Sequence, residues 1–93
     1  MNESRIEERI RQGVKKRGGR AYKFVSPGLA GVPDRIVLIP GGKAVFVELK
    51  APGEELRPLQ EKRAKEIQAL GFEFYKIDSL AGVEEFIKEV FEK

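Results

Sequence analysis

The stretch that most constrains this chain is a pair of strand-forming runs joined by a three-residue turn. Asp34-Arg35-Ile36-Val37-Leu38-Ile39 is β-branched and apolar, Pro40-Gly41-Gly42 is turn chemistry, and Lys43-Ala44-Val45-Phe46-Val47-Glu48-Leu49-Lys50 is a second strand-forming run. The pattern predicts a hairpin. Alternation along its second arm then sends Val45, Val47 and Leu49 to one face and Ala44, Phe46, Glu48 and Lys50 to the other. Two charges at the end of an otherwise apolar strand are costly unless they are paired or bind something.

The flanking segments supply the remaining elements. From Glu3 to Arg17, Ile6, Ile10 and Val14 recur at helical spacing among charges, and Gly18-Gly19 ends the run. Arg20 to Val25 alternates weakly and stops at Ser26-Pro27-Gly28, as a strand running into a loop does. A second helix is expected from about Pro58 to Leu70, with Gly71 closing it. Phe72 to Ile77 reads as a fourth strand, and Val83, Phe86, Ile87, Val90 and Phe91 as the apolar stripe of a closing helix. The expected fold class is α/β, a mixed sheet in α-β-β-β-α-β-α order forming a single domain over residues 1–93. The helix between the third and fourth strands would be a crossover if those strands run parallel.

The chemistry open to such a chain is narrow. It contains no cysteine and no histidine, which excludes disulfide scaffolds, Cys- or His-ligated metals and imidazole acid-base catalysis. Carboxylates, lysine, arginine, amides and hydroxyls remain. No apolar run approaches the roughly 18 residues of a membrane span, and the charged N-terminus has no signal-like apolar stretch, so a cytoplasmic protein without a membrane partner is expected. A chain of 93 residues buries little more than about 60% of its unfolded surface, and an oligomer would add to that thin core.

The formal charge of +3 is unevenly spread: residues 1–23 hold eight Lys/Arg against three Glu, whereas residues 54–93 hold seven against ten acidic residues. A basic end attracts polyanions, nucleic acid before an anionic membrane, although a solvated charged helix has the same composition. Lys15, Lys16, Arg17, Arg20 and Lys23 flank the Ser26–Pro33 loop in sequence, and with Arg35 they are the candidate phosphate contacts. The phenylalanines, Phe72 among them, sit in periodic apolar segments and are expected in the core.

Counting outward from Gly41, Asp34 and Glu48 each lie seven residues away, so the hairpin sets them nearly opposite one another. Two opposed carboxylates repel unless a cation lies between them or one holds a proton. Oxygen ligands on rigid strands suit Mg²⁺ or Mn²⁺. Lys50 points to the same place, where an ammonium can orient a water or hold a phosphate. A salt-bridged Asp-Lys-Glu cluster at a sheet end is the alternative.

Pro33-Asp34 followed by Glu48-Leu49-Lys50 resembles the PD-(D/E)XK nuclease motif. The longer string, with Ser26-Pro27-Gly28, Gly31-Val32-Pro33-Asp34-Arg35, Phe46-Val47-Glu48-Leu49-Lys50-Ala51-Pro52-Gly53 and Gln60, is similar to the VRR-NUC branch in its minimal stand-alone phage and bacterial form. The resemblance covers nearly the whole chain. It implies a restriction-endonuclease-like core, with Asp34 and Glu48 as metal ligands, the Leu49 backbone carbonyl as a further ligand, Lys50 as the catalytic lysine and Gln60 as the motif glutamine. Gln60, Ala64 and Ile67 fall on one helix face, which sets the amide inward; capping a loop is its other reading. The family also uses a first-helix glutamate. The Glu-x-x-Ile spacing favours Glu3, with Glu7 one turn further on, and a first-turn carboxylate facing the helix dipole is the ordinary role of either.

The resemblance further implies a homodimeric, divalent-metal-dependent DNA endonuclease acting on branched DNA such as four-way (Holliday) junctions, without a small-molecule cofactor. The competing readings are a nucleic-acid-binding module with a vestigial acidic cluster and a nicking subunit of a larger phage or repair complex. A polyanion-binding surface would shed its carboxylates, which counts against the first of these.

Overall fold

The computed structural model describes residues 2–92, in the order α1 (Glu3–Lys16), β1 (Arg20–Lys23), β2 (Arg35–Ile39), β3 (Lys43–Leu49), α2 (Pro58–Ala69), β4 (Phe74–Ile77) and α3 (Leu80–Phe91). The element order is as expected. Several boundaries are tighter: β1 stops at Lys23 and β4 begins at Phe74, while β2 starts after Asp34, β3 ends at Leu49, α1 at Lys16 and α2 at Ala69, each one residue short. The four strands form one sheet in the order β1-β2-β3-β4. β1–β2 and β2–β3 are antiparallel and β3–β4 is parallel, so α2 is the crossover between parallel neighbours.

One face of the sheet carries the core. Ile6, Ile10 and Val14 of α1 are fully buried against Val37, Val45, Val47 and Leu49, with Val83, Phe86, Ile87 and Val90 of α3 completing the cluster. The helical spacing of the α1 and α3 residues and the alternation in β3 each put one apolar stripe on that side. Asn2 caps α1 by accepting from the Arg5 amide, and Ser79 caps α3 by accepting from the Gly82 amide. Each fully buried aliphatic side chain stabilises the fold by about 1.5–3 kcal/mol, and together they offset the cost of holding charge at the end of β3.

The other face is only partly covered. Ala64 is the one α2 residue that is fully buried. Phe46 stacks edge-to-face with Phe24 and with Phe72 at 5.6 Å each, but Phe72 itself is 45% exposed, as are Tyr22 (53%) and Leu38 (39%) on the same face. Phe72 is therefore not a core residue as expected. It lies in the link between the end of α2 and the start of β4. Among the described residues, no helix is long and apolar enough to cross a membrane.

Candidate functional site

Hairpin register brings the two carboxylates together. Arg35 pairs with Val47 and Ile39 with Lys43, so the next pair outward is Asp34 with Glu48. Asp34 sits at the mouth of β2, where its Oδ1 accepts a hydrogen bond from the Leu49 amide at 3.1 Å. Its own carbonyl accepts from the Phe24 amide at 2.9 Å, which fixes the backbone on either side of the strand start. Glu48 and Lys50 are each only 6% exposed, on the face away from the core. The Lys50 amide donates to the Ile77 carbonyl at 2.9 Å, continuing the β3–β4 ladder past the end of the strand. The Leu49 side chain is buried in the core, leaving its backbone as the part at the site.

Gln60 satisfies both of its expected readings at once. Its Oε1 accepts from the Arg57 amide at 2.9 Å, closing the first turn of α2, while its Nε2 donates to Glu48 Oε2 at 3.3 Å. The other carboxylate oxygen, Glu48 Oε1, is buried and has no hydrogen-bond partner. An anionic oxygen in that state is costly. Burial foremost, then the charge of Asp34, pushes the Glu48 carboxyl up to about 7, against a weaker pull from Lys50. Burial also raises Asp34, partly countered by the Leu49 amide and by Arg35.

The donor set fits a hard divalent cation: two opposed carboxylates, one with an orphaned buried oxygen, beside a strand backbone. Among the described residues, no three His, Cys, Asp or Glu side chains converge closely enough to hold a metal by themselves. Glu3 does not join the pair at ligand distance. It is exposed in the first turn of α1, and its charge reaches Asp34 and Glu48 and raises both. Glu7 forms an ion pair with Arg35 instead.

Arg35 departs from its expected role. At 6% exposed and paired with Glu7, it lies on the core face of the sheet and is not free to meet a phosphate. Its parity with Val37 turns it toward α1. The remaining basic residues divide. α1 runs away from the carboxylates, so Lys15 and Lys16 in its last turn lie about 20 Å along the helix from Glu3. Arg20 pairs with Leu38 at that far end, whereas Lys23 pairs with Arg35, one row from Asp34 but on the sheet face opposite Glu48, where it is exposed at the edge. Nearness in sequence to the loop is undone by the antiparallel return of β1. Two contacts have no signal in the sequence pattern: Arg63 of α2 bonds to the Ala30 carbonyl in the loop before Asp34, and Gly31 of that loop lies against Leu59.

The raised Glu48 pKa has a consequence for stability. A carboxyl that holds its proton more tightly when folded contributes stability that is fully present below about 4.5 and lost as pH rises through about 7. Asp34 shifts in the same direction. In chelator, the melting temperature is expected to fall between pH 5 and pH 8, with roughly 3 kcal/mol attributable to Glu48. Thermal melts of the Glu48→Gln variant, which cannot ionise there, should lack most of that fall.

No protein-family model matches the chain. A curated relative, "Putative nuclease p44" of Acyrthosiphon pisum secondary endosymbiont phage 1, is 49% identical over 79 residues, covering 85% of each chain. A solved structure titled "VRR_NUC domain" superposes with a TM-score of 0.89 at 24% identity, over 96% of this chain and 97% of its own. The arrangement of sheet and helices is that of the VRR-NUC fold, which is of the PD-(D/E)XK type.

Proposed function

Since the chain belongs to the VRR-NUC nuclease family, we propose that it is a divalent-metal-dependent endonuclease that hydrolyses DNA phosphodiesters at the Asp34–Glu48 pair. The observation that carries this is Glu48 Oε1, a buried carboxylate oxygen with no partner, set opposite a second carboxylate.

In this reading Asp34 and Glu48 hold Mg²⁺ or Mn²⁺ together with the Leu49 carbonyl. Gln60 fixes the Glu48 carboxylate by its amide. Glu3 faces the pair from α1 and adds negative charge that favours a cation. A bound ion supplies Lewis-acid stabilisation of charge developing on the phosphate oxygens. Lys50 holds its ammonium beside Glu48, where it orients the attacking water and binds the scissile phosphate. Lys23, exposed on the edge strand β1, meets the duplex together with Lys15, Lys16 and Arg20 away from the cleavage point.

A homodimer acting on branched DNA completes the proposal. Tyr22, Leu38 and Phe72 leave apolar surface open on the uncovered sheet face, and a second copy would bury it. A two-fold pair of sites also matches the symmetry of a four-way junction. A panel of single-stranded, duplex, flapped and four-way-junction DNA with Mg²⁺ or Mn²⁺ tests the activity. Cleavage of the junction above the others is expected, and no metal-dependent cleavage of any substrate would overturn the reading. Light scattering at micromolar concentration is expected to give about twice the 10.5 kDa chain mass.

A further inference from the structure

Residues 24–34 join β1 to β2 without helix or strand, yet they deliver Asp34 to a fixed position against Leu49. What seats this loop is α2. Arg63 Nε donates to the Ala30 carbonyl at 3.0 Å, with the arginine side chain only 13% exposed. At the next residue the packing is tight. Gly31 has φ +88°, and a Cβ there would lie 2.8 Å from both the Leu59 carbonyl oxygen and Leu59 Cγ. Only glycine tolerates that conformation and that approach without strain.

Leu59, Gln60 and Arg63 belong to the first two turns of α2, and Gln60 and Arg63 are three apart on one face. The same short segment therefore grips the site from two sides. Gln60 reaches Glu48 on β3, while Leu59 and Arg63 hold the loop that ends three residues later at Asp34.

We propose that Arg63 is a positioning residue: by seating the Ala30–Gly31 loop on α2, it sets the separation of the Asp34 and Glu48 carboxylates at which a divalent cation is held. This rests on the metal-site reading above. Partners one step removed from a metal change its affinity by about 10–100-fold when lost. The hydrogen bonds of Arg63 go to Ala30 and Glu66, and its charge is not among those that act on Asp34 or Glu48. A phosphate-binding arginine would raise KM for DNA and flatten the salt dependence, whereas a positioning arginine lowers metal affinity and kcat and leaves KM unchanged.

Titration calorimetry with Mn²⁺ and no DNA separates the possibilities. Wild type is expected to bind, and Asp34→Asn to lose binding, which establishes the metal site independently of Arg63. Arg63→Gln is expected to bind Mn²⁺ at least about tenfold more weakly, with kcat reduced and KM for DNA within about twofold of wild type. Glu66→Gln removes the solvent-side partner of Arg63 and leaves its contact with Ala30, so its Mn²⁺ affinity should match wild type. Gly31→Ala disturbs the same seat from the loop side. Combined with Arg63→Gln, it should cost less than the product of the two single effects. Should Arg63→Gln fail to fold, Arg63→Lys and Gly31→Ala decide by the same tenfold criterion. A folded Arg63→Gln variant that binds Mn²⁺ like a binding-competent wild type, or a raised KM as its main defect, would overturn the inference alone. A wild-type chain that takes up no Mn²⁺ would overturn the metal reading and this inference with it.

Discussion

Replacing Glu48 with glutamine is expected to abolish metal-dependent cleavage while leaving the protein folded and no less stable. Loss of a group one step removed from a metal costs up to about 100-fold, so removing one of two carboxylates that face the ion should exceed that, and Asp34→Asn should do the same. The stability side of the prediction comes from burial. Glu48 is 6% exposed, its Oε1 has no partner, and Asp34 repels it. Removing a charge in that position relieves a cost, whereas removing a satisfied buried charge partner would destabilise. Glutamine keeps the shape and can still meet Gln60. A melting temperature at pH 8 equal to or above wild type, together with no detectable product, is the expected pair of results. Undiminished cleavage by both variants would end the metal-site reading.

Lys50→Ala is the second variant with a large expected effect, of a different kind. Lys50 lies beyond the last pair of β3 and β4, held by its amide to Ile77, so the backbone there does not depend on its side chain. Mn²⁺ binding should persist, and removal of one cation from the vicinity of two carboxylates should tighten it somewhat. Turnover should fall by about 100–1,000-fold, the scale on which a single preorganised electrostatic group acts on a developing charge. Single-turnover cleavage and calorimetry on the same preparation check this. Turnover near the wild-type rate would remove Lys50 from the mechanism.

The opposition of Asp34 and Glu48 was legible because a hairpin register follows from its turn, and counting from Gly41 reaches the same pair that extending Arg35–Val47 reaches. The element order was legible for a similar reason, since each segment carries one periodicity. What was not legible depended on which sheet face is covered and on contacts between distant segments. Helical spacing set Glu3 and Glu7 on one stripe; their different fates turn on Arg35, whose place on the core face draws Glu7 into an ion pair. That signal was present in the parity of Arg35 with Val37. Phe72 looked like core because apolar patterning does not reveal that α2 leaves part of the sheet open. The bond from Arg63 to the Ala30 carbonyl spans 33 residues and has no local signature at all.

The Pro40-Gly41-Gly42 turn stands at the opposite end of the hairpin from the carboxylates, with Gly41 at φ +98° and Gly42 at φ +89°. Its distance makes it a gauge. One residue added to either arm between the turn and the site would shift the pairing by one and carry Glu48 to the core face or Asp34 out of opposition. The segment 51–57 between β3 and α2 imposes no such rule, because no ladder runs through it. Tolerance to insertions and deletions should therefore be lopsided along this chain. Length is freer to vary after the Ala51–Glu54 turn and the Gly53–Asp78 bond than at the hairpin tip, although the tip lies at the other end of the hairpin from the carboxylates.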